Sequence, residues 1–217
     1  METAASLALE RLTPTLPRLY AILDAASLDA EGLSLTAFAS SLMAGGAALL
    51  QYRNKHGGPR RMLQDARALR DLARTRATLI MNDRADLCLA AGFDGLHVGR
   101  DDLTPSAARA IVGSLALLGV STHDPEQVAQ AEQGPADYIA IGPVFATSSK
   151  RNPDATVGLA GVRAARAATR KPLVAIGGIT RANCRAVLES GADSVAVISD
   201  LIAEPARSVE EFQRLLG

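Results

Sequence analysis

The 217 residues carry 23 Lys and Arg against 23 Asp and Glu, so net charge is zero and a general nucleic-acid or membrane-surface binder is disfavoured. Hydrophobic residues make up 48% and aromatics only 3%, which implies an aliphatic core in one large domain or two small ones. No apolar run is long enough to span a bilayer, and the first residues lack a basic-then-apolar leader, so the expected location is the cytoplasm.

Residues 1–17 read as an N-terminal lead-in. An apolar run, 18–23, follows as a first strand, and 34–43 has helical spacing that stops at Gly45-Gly46. Residues 48–53 form a second strand, 59–75 an Arg-rich helix, 78–81 a third strand, 85–91 a helical turn or two, and 95–98 a fourth strand. Thr104-Pro105 opens a helix as N-cap and first helical residue, and Asp124-Pro125 repeats that start after a fifth strand at 115–120. A sixth strand, 137–141, runs into the long polar stretch 142–158. Helix 159–168, strand 172–176, helix 180–190, strand 194–198 and helix 209–216 complete the chain. Cys88 and Cys184 fall in apolar helical patterns and read as reduced core thiols.

Eight strands alternate with helices, and the strands are continuous apolar runs, as expected of parallel strands covered on both sides. A doubly wound open sheet also fits the alternation. Eight units without an insertion large enough for a second domain favour a single (β/α)8 TIM barrel spanning 1–217.

In such a barrel the functional residues follow the C-terminal ends of the strands. Those positions here are Gln51 to Lys55, Asn82-Asp83, Gly99 to Asp102, Ser121 to His123, the 142–158 stretch, Gly177-Gly178 and Ser199. Strand alternation puts Gln51 and Arg53 on one side. Thr147-Ser148-Ser149-Lys150 sets hydroxyls beside a cation, which is anion chemistry. Gly177-Gly178 with Ile198-Ser199 is a candidate phosphate site, although two glycines also serve a plain turn. Asp83, with Asp102 or Asp101, faces Arg53, Lys55 and Lys150. That combination suits a Mg2+-diphosphate, and a plain salt-bridge network stays open beside it. Asp86 reads as a surface charge and His97 as a packed strand residue. His123 reads either as a general base or as part of a helix start, and His56 carries little signal.

Seven ordered motifs, QYRNK at 51–55, ND at 82–83, HVGRDDL at 97–103, GVSTHD at 119–124, GPVFATSSK at 142–150, AIGGI at 175–179 and VIS at 197–199, resemble the thiamine-phosphate synthase family over about 19–202. The resemblance implies a transferase that joins 4-amino-2-methyl-5-hydroxymethylpyrimidine diphosphate to 4-methyl-5-(2-hydroxyethyl)thiazole phosphate and releases diphosphate. By position it assigns the pyrimidine diphosphate to Gln51, Tyr52, Arg53, Asn54, Lys55, Asn82, Ser121 and Lys150, with Arg53, Lys150 and Ser121 catalytic. It assigns the thiazole phosphate to Thr147, Ser148, Ser149, Gly178, Ile198 and Ser199, and one Mg2+ to Asp83 and Asp102. The implied partners are phosphorylated small molecules, with no nucleic acid or membrane and with a homo-oligomer left open. Three departures stand out: Arg100 replaces the family's Gln, Ser149 its Thr, and Ala146 its Pro. A thiazole tautomerase and a non-catalytic phosphate binder on the same barrel are the competing readings. The tautomerase does not need the cluster at Arg53, Asp83, Asp102 and Lys150, and the binder has little use for two metal carboxylates.

Overall fold

The computed structural model describes residues 15–147 and 155–217. Its strands are β1 (Leu19–Asp24), β2 (Leu49–Arg53), β3 (Thr78–Asn82), β4 (Gly95–Val98), β5 (Leu117–Thr122), β6 (Tyr138–Ile141), β7 (Leu173–Ile176) and β8 (Ser194–Val197). Its helices are α1 (Ala25–Ala30), α2 (Leu35–Ala44), α3 (Pro59–Ala73), α4 (Ala85–Ala91), α5 (Pro105–Val112), α6 (Pro125–Glu132), α7 (Gly158–Ala168), α8 (Cys184–Glu189) and α9 (Pro205–Leu216), with a 3-10 turn at Ser199–Leu201. The strands close in sequence order into a parallel barrel, β1 pairing with both β2 and β8. This is a single (β/α)8 barrel.

The two-residue period of each strand divides the core in two. Leu50, Leu79, Met81, Leu96, Leu118, Ile139, Leu173 and Val195 face outward and pack under the helices. Tyr20, Ile22, Leu49, Ile80, Tyr138, Ala140, Val174 and Ala196 face inward and fill the barrel. Although the core is aliphatic overall, two of the three tyrosines therefore meet inside it. Gly119 makes room for one of them: it lies beside Tyr138 in the β5–β6 register, and a Cβ there would sit 2.0 Å from the Tyr138 ring. Gly119→Ala is expected to cost about 1–3 kcal/mol by overpacking, read as a lower urea midpoint at an unchanged m-value.

The N-terminal end of the barrel is held by one device used three times. Asp94, Asp137 and Asp193 each precede an even-numbered strand. Each accepts the N–H of the preceding odd strand, from Leu79 at 2.7 Å, Leu118 at 2.8 Å and Leu173 at 2.8 Å. Each also pairs with an Arg of the helix that leads into that odd strand, Arg70 of α3, Arg109 of α5 and Arg166 of α7 respectively. This closes the end opposite the functional loops and leaves those loops free to serve chemistry.

Four expectations shift. The last helix starts at Pro205 rather than at 209. β5 starts at Leu117 rather than at 115, because its register begins opposite Gly95, and Leu115 is 98% exposed. The helix expected over 180–190 is shortened to α8, since Asn183 folds the segment before it into a turn by accepting Thr180 N. The six-residue α1 was not expected; Asp24 caps it through Ser27 N at 2.9 Å. Cys88 and Cys184 are free and buried, as expected.

Candidate active site

The inward-facing positions at the C-terminal ends of the strands enclose a cavity of about 250 Å³. On β2, Gln51 and Arg53 both face it, as the alternation requires. Arg53 pairs with Asp24, its register partner on β1, which is only 4% exposed. Lys55 reaches over from the following loop. Its Nζ lies 2.5 Å from Asp83 Oδ2 and 3.8 Å from Asp102 Oδ2. The two carboxylates after β3 and β4 thus converge on one cation.

Backbone geometry sets that convergence. Asp83 has φ 62°, a left-handed conformation uncommon outside glycine, and its N–H is tied to His97 O at 2.8 Å. Asp102 Oδ2 accepts Gly99 N at 3.0 Å, where a Cβ on Gly99 would stand 2.9 Å away. Asp101 lines the cavity as an exposed neighbour, so Asp102 is the carboxylate that turns toward Asp83. Burial, together with the hydrogen bond that protonated Asp83 donates to Asp102, pushes Asp83 up to about 6. Burial acts upward on Asp102 too, but hydrogen bonds from Asp83 and Gly99 N and the Lys55 charge outweigh it and hold Asp102 below the usual range. The pair therefore holds one proton, on Asp83, only as pH falls to about 6 and below.

Asn82, at the end of β3, is 7% exposed and lines the same cavity. Its Nδ2 has no hydrogen-bond partner among the described residues. A buried donor without an acceptor costs about 1–3 kcal/mol, so this one is placed for an acceptor that the described residues do not supply.

The opposite side of the mouth is built from β6, β7 and β8. Val144 N and Phe145 N bond to Ile176 O at 2.8 Å and Gly177 O at 3.0 Å, which ties the start of the 142–158 stretch to β7. Gly178 has φ 62°, and a Cβ there would lie 2.5 Å from Ala146 O, so only glycine fits that crossing. Thr147, Gly178, Ile198 and Ser199 all border the cavity. Ser148, Ser149 and Lys150 lie outside the described residues.

Two of the expected residues are placed elsewhere. Tyr52 and Asn54 belong to the 51–55 motif but not to the mouth. Tyr52 points outward between Gln51 and Arg53, is 1% exposed, and donates its hydroxyl to Asp65 on α3 at 2.9 Å. Asn54 donates to Tyr52 OH at 3.1 Å and accepts Gly57 N at 2.7 Å, so it shapes the loop after β2. A contiguous motif on a strand necessarily includes residues of both faces.

His97 is packed within its strand, as expected, 7% exposed and stacked on Tyr138, and it also lines the cavity. Its Nε2 is 2.9 Å from Ser121 Oγ and its Nδ1 is 3.1 Å from Tyr138 OH. Burial pulls it down to about 4, so it is neutral near pH 7. His123 takes neither side of its two readings cleanly. Its ring borders the cavity, while its Nδ1 donates to Gly142 O at 2.6 Å and its backbone N–H donates to Gln127 Oε1. Asp86 is exposed and pairs with Arg84 at 2.5 Å, as expected of a surface charge.

Two adjacent carboxylates that already take the Lys55 ammonium between them suit a hard divalent cation with oxygen ligands. Among the described residues no group of three or more Asp, Glu, His or Cys side chains is arranged to hold a metal. A cation at this pair would therefore draw its remaining ligands from substrate oxygens and water.

Comparison with known proteins decides the family. The statistical model described as thiamine monophosphate synthase matches residues 19–201, from β1 through the 3-10 turn. The chain belongs to the thiamine monophosphate synthase family. A thiamine-phosphate synthase from Koribacter versatilis is 56% identical over 203 residues, covering 93% of this chain and 96% of that one. A second, from Chloroflexus aurantiacus, is 44% identical over 187 residues, 86% of this chain and 85% of the other. A solved thiamine phosphate pyrophosphorylase from Pyrococcus furiosus superposes with a TM-score of 0.82 at 31% identity, covering 92% of this chain and 95% of its own. Membership makes the chain an enzyme of the transferase class. Among the described residues no helix is long and apolar enough to cross a membrane.

Proposed function

We propose that the chain joins 4-amino-2-methyl-5-hydroxymethylpyrimidine diphosphate to 4-methyl-5-(2-hydroxyethyl)thiazole phosphate, releasing diphosphate, in the cytoplasm. The observation that carries this reading is the Asn82 amide, a buried donor without a partner among the described residues, set beside Arg53 and Lys55 in a mouth whose far wall is Thr147, Gly178 and Ser199. One side then takes a diphosphate and the other a monophosphate.

Arg53, Lys55 and Asn82 donate to the diphosphate oxygens, together with Lys150. Thr147, Ser148 and Ser149, Ser199 and the backbone at Gly178 and Ile198 hold the thiazole phosphate. Gln51 and Ser121 orient the pyrimidine ring. Asp83 and Asp102 would hold a Mg2+, which when bound would supply neutralising charge to the diphosphate. The bond from the pyrimidine methylene carbon to the bridging oxygen breaks with its electron pair going to oxygen. The donors of Arg53, Asn82 and Lys150 are worth most at that moment, when new negative charge forms on the leaving oxygen. The resulting pyrimidinylmethyl cation is captured by the thiazole nitrogen. No side chain acts as nucleophile; the walls fix the two reactants and keep water from the cation.

The test is diphosphate release by the purified protein with each substrate alone and with both, with and without Mg2+. Release that needs both substrates and Mg2+, matched by thiamine phosphate in equal amount, is the expected result. No release from a protein that still binds thiazole phosphate would return the reading to an isomerase or a binder.

A further inference from the structure

Beneath the cavity runs a hydrogen-bonded chain that links four strands to β2. Gln51 Nε2 donates to Tyr20 OH at 2.8 Å. Tyr20 OH is 3.0 Å from Tyr138 OH, which is 3.1 Å from His97 Nδ1, and His97 Nε2 is 2.9 Å from Ser121 Oγ. Tyr20 and Tyr138 are each 1% exposed, so no water competes for their hydroxyls. Their rings meet edge-on with centroids 6.1 Å apart, and His97 stacks on Tyr138 at 5.6 Å.

Each member has a single proton to place along this chain, so one end fixes the other. With Gln51 donating, Tyr20 has only Tyr138 to donate to. Tyr138 then donates to His97 Nδ1. Accepting from Tyr138 leaves Nδ1 without a proton, so His97 carries its proton on Nε2 and donates to Ser121 Oγ, and the Ser121 proton is left pointing into the cavity. Gln51, having spent its amide N–H on Tyr20, turns its carbonyl oxygen toward the cavity it lines. The reverse order is equally self-consistent only if the Gln51 amide turns over, and it would exchange donor for acceptor at both ends.

We propose that Tyr138 and Tyr20, acting through His97, are positioning residues that lock the Ser121 hydroxyl as a donor and the Gln51 carbonyl as an acceptor, so that the pocket selects a ring with an exocyclic amino group and an unprotonated ring nitrogen. The identity of the ring rests on the synthase reading above. A 4-oxo analogue offers an acceptor in place of the amino donor and carries a proton on a ring nitrogen, so it meets like against like at both contacts. Sites that hydrogen-bond a polar substrate group reject the mismatched analogue by large factors, because buried groups are left unpaired.

Two measurements test this. The first uses the full chain labelled with 15N-histidine at pH 7.5, with His97 assigned by loss of its signals in His97→Asn. The proposal requires the neutral Nε2–H tautomer at His97; an Nδ1–H tautomer or an imidazolium would overturn it. The second compares kcat/KM for the 4-amino and 4-oxo pyrimidine diphosphates. Wild type should favour the amino substrate by about 10³-fold or more. Tyr138→Phe and Tyr20→Phe each keep the ring and remove the hydroxyl. Each should cut that preference by about tenfold or more and raise KM for the pyrimidine, with KM for thiazole phosphate unchanged. An unaltered preference in folded variants would overturn the assignment. If wild type turns over neither pyrimidine, the synthase reading fails, and the His97 tautomer still decides the direction of the chain.

Discussion

Replacing Asp102 by Asn is expected to lower kcat by about 10²–10³-fold while changing the binding of thiazole phosphate by less than about threefold. Asp102 sits with Asp83 and Lys55 on one wall of the cavity, and Thr147, Gly178 and Ser199 form another. The amide keeps the shape of the side chain and its bond to Gly99 N, so the loop after β4 should persist. What disappears is the charge opposite the departing diphosphate. The same pair makes a prediction in pH. Asp83 is pushed up to about 6, above the unfolded carboxylate value near 4. A carboxyl raised in this way contributes stability below its unfolded value and loses it as pH rises through about 6. The metal-free protein should therefore lose part of its stability between about pH 4 and 6. A divalent cation bound to the ionised pair, as proposed, should recover it. The rise in thermal midpoint on adding Mg2+ should be larger at pH 7.5 than at pH 5, and should be nearly absent in Asp102→Asn. Equal loss of turnover and thiazole-phosphate binding, or a Mg2+ effect independent of pH, would remove the metal from Asp83 and Asp102.

Much of this site could be read from the sequence because a barrel converts strand ends into a mouth. Gln51, Arg53, Asn82, Asp83, Asp102, Ser121 and Gly178 all follow apolar runs, and all border the cavity. What the sequence concealed follows from pairing across the barrel. Asp24 ends β1 on the same face as Tyr20 and Ile22, so alternation pointed it inward; its value comes from lying opposite Arg53, a register that only closure sets. His97 looked like a lone packed imidazole because its partners, Ser121 and Tyr138, come from two other strands. Tyr52 and Asn54 were carried along with their neighbours in a contiguous motif, although period two sends Tyr52 to the helix layer. The start of β5 was hidden by the unbroken run Leu115-Ala116-Leu117-Leu118, in which nothing marks where pairing begins. The six residues of α1 are too few to show a helical period.

Arg53→Ala is expected to cost about 3 kcal/mol of stability and to lower kcat by about 10²–10³-fold, and the two losses should be separable. Asp24 accepts Ser27 N at 2.9 Å and Ser27 Oγ at 2.7 Å through one oxygen, and Arg53 answers the other. At 4% exposure, that second oxygen has little access to water once the guanidinium is gone. Asp24→Asn in the Arg53→Ala background removes the uncompensated charge and keeps an oxygen for the α1 cap. Most of the lost stability should return, giving a coupling of about 1–3 kcal/mol between the two positions in a double-mutant cycle by urea unfolding. Turnover should not return, because no donor reaches the diphosphate from β2. If Arg53 served only to neutralise Asp24, the double variant would regain activity together with its fold. Recovery of both would make Arg53 a structural residue and leave Lys55, Asn82 and Lys150 to carry the leaving group.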